Sequence, residues 1–574
     1  MPPTSIYLQK ACLLHRYIRS RDNSHIFERP ERLRAVNVGL AAAIARMEEG
    51  APTKPAPANA PLRTEEDEDE LTKALEKLQL STPCATQQPA RVPATIVHSG
   101  ATVDILNHAA VKFVHGDIDD DVYLKTLKKW TQDSHDKINQ GGSEIPEGYN
   151  QGDLYLCPGS LDAIQGALGT MCEAVDSVVG LPSPDTPSQA FVAVRPPGHH
   201  CGEDTPSGFC FVNNVAVGAA HAYLKYKINR VVVLDIDLHH GNGTQAIAWQ
   251  INEETYRKQL EGEAGAPHEP GLQVYYGSIH DILSYPCEDG KTSLVQAASV
   301  SIHGPHGQHI ENIHLSPYTS EDEFWDKLYA GPYSRLLQKA GEFLENTGKS
   351  SDDVLVFISC GFDASEHEHP GMSRHGRKVP TSFYHRFARD ACAFASRYAN
   401  GRLISVLEGG YSDRALASGA MAHLAGLLED DTHPVDPTWW SQENLLALEA
   451  ATKKRRGGRP SNTTPPAPWL ARTVELFASI DASHTLAPIS HPRAPIAASD
   501  RTLRDRKPAR ASPAASPGKK IAAKKGAAAT ITSTDEESDS VSTDASVPEE
   551  AGAAQSASKK LPRVILKLGP QPDA

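Results

Sequence analysis

The chain has 574 residues, a formal net charge of −14, 39% hydrophobic residues and 22% charged residues, a composition typical of a globular protein with solvated extensions. This acidic balance argues against non-specific DNA binding by the whole chain and fits a basic partner, such as a lysine-rich protein tail. The 9 cysteines include no CxxC pair, so we expect neither a cysteine zinc module nor a disulfide framework, and a reducing compartment is indicated.

The N-terminal part predicts a helix followed by an insert. Met1–Ile6 has no basic stretch leading into an apolar run, so no signal peptide is expected, and no run of about 18 apolar residues predicts a membrane span. Val36–Met47 is rich in Ala and Leu and predicts a helix. Residues 50–91 are first Ala/Pro-rich and then acidic, which indicates a disordered insert; a partner-docking helix within it is the alternative.

Beyond the insert, short apolar runs alternate with segments long enough for helices. This alternation predicts an α/β domain over residues 5–448, with a central parallel sheet flanked by helices. Chemically notable residues follow these runs directly, where sites form in open α/β sheets. The runs are Ala190–Val194, Arg230–Ile236, Leu272–Ser278, Asp353–Ser359 and Leu403–Leu407.

The strongest metal-type pattern is Asp235-Ile-Asp237-Leu-His239, which follows a buried-strand pattern. In an extended chain Asp235, Asp237 and His239 point to one side. Such a cluster is costly to bury without a cation, and its donor atoms suit zinc. Asp363, after the run that ends at Ser359, would be the third protein ligand beside Asp237 and His239 and leave an open position for water and substrate.

Two further segments supply candidates for proton transfer and hydrogen bonding. Arg195-Pro-Pro-Gly-His199-His200 holds adjacent histidines, which alone could be catalytic, metal ligands or part of an ordinary loop. Asp235 and Asn242 are candidates for orienting them. Tyr411, in Leu-Glu-Gly-Gly-Tyr411, could donate to a developing oxyanion, or be a packed surface tyrosine.

In this order the four segments resemble the zinc-dependent histone deacetylase family, which has the arginase/deacetylase fold. The resemblance covers about Ile6–Leu448, with residues 50–91 as an insert. Asn242 and the Leu-Glu-Gly-Gly-Tyr411 form are similar to the class II branch. The long tail is similar to fungal HOS-type members. Further matching motifs are Gly208-Phe209-Cys210-Phe211-Val-Asn-Asn214, Glu28-Arg-Pro-Glu-Arg32-Leu and Gly410-Tyr411-Ser-Asp-Arg414.

The resemblance implies a role for each matching residue. Zinc would be bound by Asp237, His239 and Asp363. His200 would be the general base, paired with Asn242, and His199 its electrostatic partner, paired with Asp235. Because family members often carry Asp at the position of Asn242, the imidazole of His200 should be less basic here. Tyr411 would polarise the acetyl carbonyl.

The resemblance also implies a substrate channel and a second ion. Phe209 would form one wall of the channel and Tyr285 the other, where family members usually have Phe. The carbonyl of Gly208 would accept the substrate Nε–H, and Asp153 would hold the substrate backbone at the rim. A structural K⁺ would bind near Ser278 and the Asp235–His239 segment. The loop Glu366–Met372 departs from the Gly-Asp-Pro of relatives, and its histidines are more typical of a local surface role than of metal ligands.

After Leu448 the sequence predicts a mostly disordered tail, residues 449–574. Lys453–Arg456 resembles a nuclear import signal, and Gly458-Arg459-Pro460 predicts at most a weak DNA contact. Thr534–Ser546 is a candidate phosphorylation zone, and Val564–Leu568 could add to a partner's sheet or be a sticky end. Chromatin-complex subunits are the partners that such a tail predicts.

We therefore expect an enzyme that hydrolyses Nε-acetyl-lysine on histones and other proteins and represses transcription through chromatin, in the nucleus and also in the cytoplasm. Three alternatives remain. A deacetylase of acetylpolyamines or other small amides would share the site. A catalytically silent chromatin scaffold would act through the tail. A manganese ureohydrolase would need ligands for a second metal.

Overall fold

A computed structural model describes residues 4–50, 94–117, 120–180, 187–262, 270–453 and 466–483. The predicted insert, apart from Gly50, and the tail motifs, apart from Lys453, lie outside these residues, so those predictions stay as they are. Within the described part no helix is long and apolar enough to span a bilayer.

The described residues form one sheet with strand order β2-β1-β3-β9-β8-β4-β5-β7-β6. Every neighbouring pair is parallel except β6 and β7, which are antiparallel. The strands β1–β9 are Thr4–Gln9, Ala94–Ser99, Gln189–Ala193, Arg230–Asp235, Gln273–His280, Ser301–His303, His309–His314, Val354–Cys360 and Leu403–Leu407. The predicted mostly parallel α/β architecture is confirmed.

Helices cover the sheet and connect its strands. In the described residues α1–α13 are Glu31–Gly50, Ala109–His115, Val122–Asn139, Ser160–Val179, Asn214–Tyr226, Asn242–Glu261, Thr292–Ala297, Glu321–Glu323, Arg335–Thr347, Thr381–Tyr398, Asp413–Leu428, Gln442–Thr452 and Pro468–Ile480. A π-helical turn, Phe324–Tyr329, follows α8, and 3₁₀ turns occupy Lys10–Leu14, Pro305–Gly307, Pro332–Ser334 and Pro437–Trp440.

Burial on both faces explains why the sequences of the central strands are mostly apolar. Every residue of β3, β4, β8 and β9 is buried. A parallel strand with helices on both faces has no solvent side, so Val, Ile, Leu and Phe fill both sets of alternating positions. Each of the predicted runs corresponds to a strand whose ends lie within two residues of the prediction, and β9 matches it at both ends.

The folded part continues past the predicted boundary at Leu448. Helix α12 extends to Thr452, and α13 packs against α1. Arg46 of α1 lies 3.7 Å over the ring of Trp469, and Arg472 pairs with Glu48 at 2.7 Å. The composition of the tail conceals this helix, whose buried residues recur at helical spacing: Trp469, Leu470, Thr473, Phe477 and Ile480.

Candidate active site

The four segments that the sequence singles out meet at one edge of the sheet. β3, β9, β8 and β4 are consecutive neighbours, and all four run parallel. Their carboxyl ends therefore lie side by side, although the residues that follow them are far apart in the chain. The sheet order thus brings His199, His200, Asp237, Asp363 and Tyr411 into one region.

Asp237, His239 and Asp363 form a buried group whose potential ligand atoms all lie within 4.8 Å of one another. Nδ1 of His239 lies 3.1 Å from a carboxylate oxygen of Asp237 and 3.1 Å from one of Asp363. Both aspartates have 0% exposed surface. Two carboxylates this deeply buried are costly without a cation, so the donor set fits a bound metal.

Charge compensation within this group is incomplete. Burial lowers the pKa of His239, but its hydrogen bonds to Asp237 and Asp363 outweigh burial and raise it to about 10. Burial and the charge of Asp237 raise the pKa of Asp363. The two carboxylates therefore compete for one imidazolium, and a divalent cation would satisfy both.

Backbone groups hold the carboxylates in place. The amide of Gly409 donates to Oδ2 of Asp237 at 2.7 Å, and the amide of Leu238 donates to Oδ1 of Asp363 at 2.8 Å. A Cβ atom on Gly361 would overlap the carboxylate of Asp237, and one on Gly409 would overlap both carboxylates. Glycine is therefore required at both positions so that the chain can approach the acidic groups.

His199 and His200 are adjacent residues whose tilted rings lie in opposite environments. Their ring centroids are 4.1 Å apart. Nδ1 of His199 lies 3.2 Å from Oδ2 of Asp235, and burial is outweighed by Asp237 and Asp235, which raise the pKa of His199 to about 10. Nδ1 of His200 lies 2.8 Å from Oδ1 of Asn242, and burial followed by the charge of His199 holds its pKa well below the ordinary value.

Glu408 is a buried carboxylate for which the sequence alone suggests no role. Its Oε2 accepts the amides of Gly198 at 2.7 Å and His199 at 3.2 Å. Burial raises the pKa of Glu408 to about 7, against the lowering effect of His199. The residue therefore ties the end of β9 to the histidine loop, a link that depends on strand adjacency and not on chain spacing.

Tyr411 has a side chain that is 7% exposed and packed between charged and aromatic groups. The guanidinium of Arg32 lies 4.9 Å from its ring centroid, and the ring of Phe209 meets it edge-on at 5.6 Å. Burial raises the pKa of Tyr411 well above its ordinary value. Its hydroxyl therefore stays protonated near neutral pH and is available as a donor.

A buried ion network supports the loop that carries Tyr411. Glu28 accepts two bonds from Arg195, at 2.7 and 2.6 Å, and one from Arg32 at 3.1 Å. Arg32 in turn donates to the carbonyl of Gly410 at 2.6 Å and to the carbonyl of Glu408. The matching Glu28–Arg32 motif therefore acts below the site, where it joins the N-terminal segment to the end of β9.

A cavity of about 160 Å³ leads to these residues. His200, His239 and Tyr411 are among the residues that line it. The predicted substrate residues Asp153, Gly208, Phe209 and Tyr285 also line it. The other lining residues are Leu283 and Ser284 from the segment of Tyr285, Gly371 and Met372 from the loop Glu366–Met372, and Phe27, Glu288, Arg374 and His375, for which the sequence suggested no role. All four predicted substrate residues therefore lie at this cavity.

The channel walls adopt an unusual backbone. Gly208 has φ +49° and Phe209 has φ +67°, so two consecutive residues are left-handed. A Cβ on Gly208 would clash with the ring of His200 and lie 2.9 Å from the ring of Tyr285. The phenol of Tyr285 is hydrogen-bonded to the hydroxyl of Ser207, and its ring meets His200 edge-on at 4.9 Å. The ring of Tyr285 is thus held between Ser207 and His200.

Asp153 and Ser278 lie apart from the Asp–His–Asp group. Asp153 is hydrogen-bonded to the side chain of Asn150, and burial raises its pKa, with Glu288 adding to the effect. Ser278 is fully buried on β5 beside Asp235 of β4, and its hydroxyl lies 2.8 Å from Nδ1 of His280. Ser278 is not among the described residues that line the cavity.

The loop Glu366–Met372 lies beside the site through Glu368. This buried carboxylate accepts the backbone amide of Tyr411 at 2.7 Å and that of His369 at 2.6 Å. His367 and His369 belong to neither of the two potential metal-binding groups among the described residues. Nδ1 of His369 instead accepts the amide of Gly371 at 3.1 Å, a local contact.

Fold and site define an α/β protein with a buried Asp–His–Asp centre at the strand ends, and comparison with known proteins gives its family. The sequence model of the histone deacetylase domain matches residues 59–427, and the chain belongs to this family. Histone deacetylase HOS3 of Saccharomyces cerevisiae is 43% identical over 308 residues, which cover 51% of this chain and 44% of that protein.

More distant relatives include type-2 histone deacetylase 1 of Dictyostelium discoideum, 28% identical over 323 residues, or 49% of this chain and 20% of that protein. The chain thus matches less than half the length of these two curated relatives. A crystal structure of the HDA15 HD domain is 22% identical, with a TM-score of 0.46, and the match covers 83% of this chain and 100% of that one.

Proposed function

We propose that this protein hydrolyses the acetyl amide of Nε-acetyl-lysine in proteins, releasing acetate and the free lysine side chain. The observation that carries the proposal is the convergence of the Asp–His–Asp group, His200 and Tyr411 on one narrow cavity. Family membership and the printed names of the relatives support the same activity. Histone tails are the leading substrates, because an acidic chain attracts lysine-rich segments.

Asp237, His239 and Asp363 would hold zinc, since two carboxylates and one imidazole suit this ion and three protein ligands are typical of catalytic sites. When bound, zinc supplies a Lewis acid that polarises the amide carbonyl and makes water more acidic. Exchange of the imidazole of His239 for an aliphatic group would leave the two carboxylates without their shared partner.

His200 would take a proton from the attacking water and return it to the lysine nitrogen as the amide bond breaks. A base must be neutral before the reaction, and burial together with the charge of His199 keeps the imidazole of His200 neutral. The amide of Asn242 orients the ring through Nδ1 and leaves the other nitrogen for the proton transfer. His199, paired with Asp235, would remain a cation that stabilises negative charge.

Tyr411 would donate its phenolic hydrogen to the carbonyl oxygen as negative charge develops there. Such a donor contributes most when it is fixed before the reaction. Glu368 accepts its backbone amide and Arg32 lies against its ring, so the position of Tyr411 is determined by one neighbour on a loop and one on helix α1.

The acetyl-lysine stem would lie between Phe209 and Tyr285, with its Nε–H directed to the carbonyl of Gly208. Aromatic walls suit a chain of methylene groups, and the phenol of Tyr285 adds a polar group that phenylalanine lacks. Asp153 at the rim would accept hydrogen bonds from the substrate backbone. A structural K⁺ would bind near Asp235 and Ser278, which are neighbours on adjacent strands.

We further propose that the protein acts on chromatin in the nucleus, with a cytoplasmic fraction, and represses transcription. The relatives' names, which specify histones, support this setting. The tail segments proposed for nuclear import, complex partners and weak DNA contact lie outside the described residues.

The test is deacetylation of an acetyl-lysine histone peptide by the purified full chain with zinc. Tyr411→Phe and His200→Ala should each lower kcat by about 10²–10⁴-fold. Matched controls are Tyr398→Phe, which removes a phenol bonded to Glu345, and His385→Ala, which removes an imidazole bonded to Glu429. Both controls should retain the parent rate.

Equal rates for the parent and both site variants would refute the proposed mechanism. A panel that includes free acetylpolyamines tests the substrate class, because the same residues would hydrolyse any acetyl amide that reaches them. A higher kcat/KM for acetylpolyamines than for peptides would show that small acetylated amines, and not proteins, are the preferred substrates.

A further inference from the structure

A second group of potential metal ligands lies away from the active site. His108 immediately precedes α2, Cys172 is in the middle of α4 and His221 is on α5. One donor atom from each residue lies within 4.8 Å of the others. We call these three residues the His-Cys-His cluster. Unlike the active-site group, it includes a thiol and no carboxylate.

His108 has a ring nitrogen that its surroundings leave unsatisfied. Its Nδ1 is buried and has no hydrogen-bond partner among the described residues. A residue at this position often caps the helix with its side chain, but His108 makes no such bond. Its ring instead lies against that of His221, with centroids 5.6 Å apart. A buried nitrogen without a partner is costly, and a metal ion would satisfy it.

His221 is already oriented as a metal ligand would be. Its Nε2 lies 2.7 Å from Oδ1 of Asp176, one helical turn beyond Cys172 on α4. A histidine that donates one nitrogen to a carboxylate keeps the lone pair of its other nitrogen, the arrangement that accompanies most metal-bound histidines. Lys225 and Tyr226 also donate to Asp176, at 2.9 Å each, and hold the carboxylate in place.

We propose that the His-Cys-His cluster binds a transition metal ion, with zinc as the principal candidate. A thiolate and two imidazoles form a soft donor set that suits zinc and disfavours magnesium and calcium. Binding replaces the hydrogen on Sγ of Cys172, which leaves as a proton to solvent. The two histidines are partly exposed, so an ion can reach the cluster from solvent.

The ion would join α2 and α4, each of which contacts α5, beside the smaller apolar core to which all three helices contribute. α2 ends at His115, whose ring nitrogens contact the carbonyl of Glu203 and the amide of Asn213. Glu203 and Asn213 lie on either side of the Gly208–Phe209 channel segment. The proposed role is therefore structural, and it is independent of the deacetylase proposal.

The experiment replaces zinc with Co²⁺ in the full-length protein. A thiolate bound to Co²⁺ gives a charge-transfer band in the near ultraviolet, and the Asp–His–Asp centre has no thiol, so the band reports the second site alone. Cys172→Ala should abolish the band and remove one metal ion per chain, and His108→Gln should weaken it. The matched control is Cys392→Ser, which changes another buried thiol, on α10.

Absence of the band from the parent protein would overturn the proposal without any variant. Persistence of the band in Cys172→Ala, or its loss in Cys392→Ser, would overturn it as well. Circular dichroism of each variant verifies that the chain is folded, and His108→Gln, at a partly exposed position, provides a second test if Cys172→Ala fails to fold. The readout is the absorption band and the metal content, so it does not depend on whether the protein hydrolyses acetyl-lysine.

Discussion

Replacement of Glu28 by Gln should strongly destabilise the protein, because this carboxylate compensates two buried guanidinium groups. Glu28, Arg32 and Arg195 each have 0% exposed surface. Glu28 receives three hydrogen bonds from the two arginines and one from Tyr155 at 2.9 Å. Glutamine keeps the shape, but it removes the negative charge and one acceptor oxygen.

The size of the effect follows from the burial of the charges. Loss of one partner from a buried ion pair leaves an uncompensated charge and costs about 3–5 kcal/mol. The stability of the variant should also depend less on pH in the acidic range than that of the parent. Burial raises the pKa of Glu28, but Arg195 and Arg32 outweigh burial and hold it well below its usual range. The carboxylate therefore contributes stability above its unfolded pKa, and this contribution is lost as the pH falls below that value.

The assay is urea unfolding of the full chain at neutral pH and at successively lower pH values. Glu254→Gln on α6 is the matched control, since its carboxylate pairs with Arg257 on the exposed face of a helix. Such surface pairs contribute little, so the control should unfold like the parent. If Glu28→Gln loses no more stability than Glu254→Gln, the network is not the support described here.

Two further changes test the loop beside Tyr411 and the C-terminal helix. Burial raises the pKa of Glu368 to about 7, so its stability contribution is present below the unfolded pKa and is lost as the pH rises through 7. Glu368→Gln loses one of the two acceptor oxygens, but it removes this pH dependence, so its stability relative to the parent should rise by on the order of 2 kcal/mol between acidic and alkaline pH; parallel pH profiles would contradict this. Trp469→Ala should cost about 3–5 kcal/mol, whereas Val474→Ala on the exposed face of α13 should cost under about 0.5 kcal/mol. Equal losses would show that α13 is not docked.

The central strands were predictable from sequence and the outer ones were not. β4 and β8 are continuous apolar runs, which is what burial on both faces requires. β1, in contrast, reads Thr-Ser-Ile-Tyr-Leu-Gln, although all of it is buried. Its polar ends are satisfied by distant partners, since Thr4 contacts Gln189 at 3.3 Å and Gln9 donates to the carbonyl of Ala101 at 3.0 Å. No local pattern reports such bonds.

The potential metal ligands of the site were predictable from sequence, but the buried carboxylates that hold its loops were not. Spacing after a strand indicated the Asp235–His239 segment, because alternate residues share a side. Glu408 and Glu368 looked like ordinary acidic residues, yet both are buried and accept backbone amides from other loops. Whether a carboxylate binds a metal or an amide depends on which loops meet, and this is determined by the sheet order.

The two adjacent histidines show how the fold can give one residue type two roles. His199 faces Asp235 and Asp237, which favour its cationic form, whereas His200 faces the amide of Asn242 and the phenol of Tyr285. Neighbouring groups whose pKa values are driven apart mark a division of labour between charge stabilisation and proton transfer. Two of the positions at which the sequence departs from the family pattern, Asn242 and Tyr285, both contact His200. Burial and the charge of His199 keep this imidazole neutral, and neither Asn242 nor Tyr285 adds a negative charge that would oppose them.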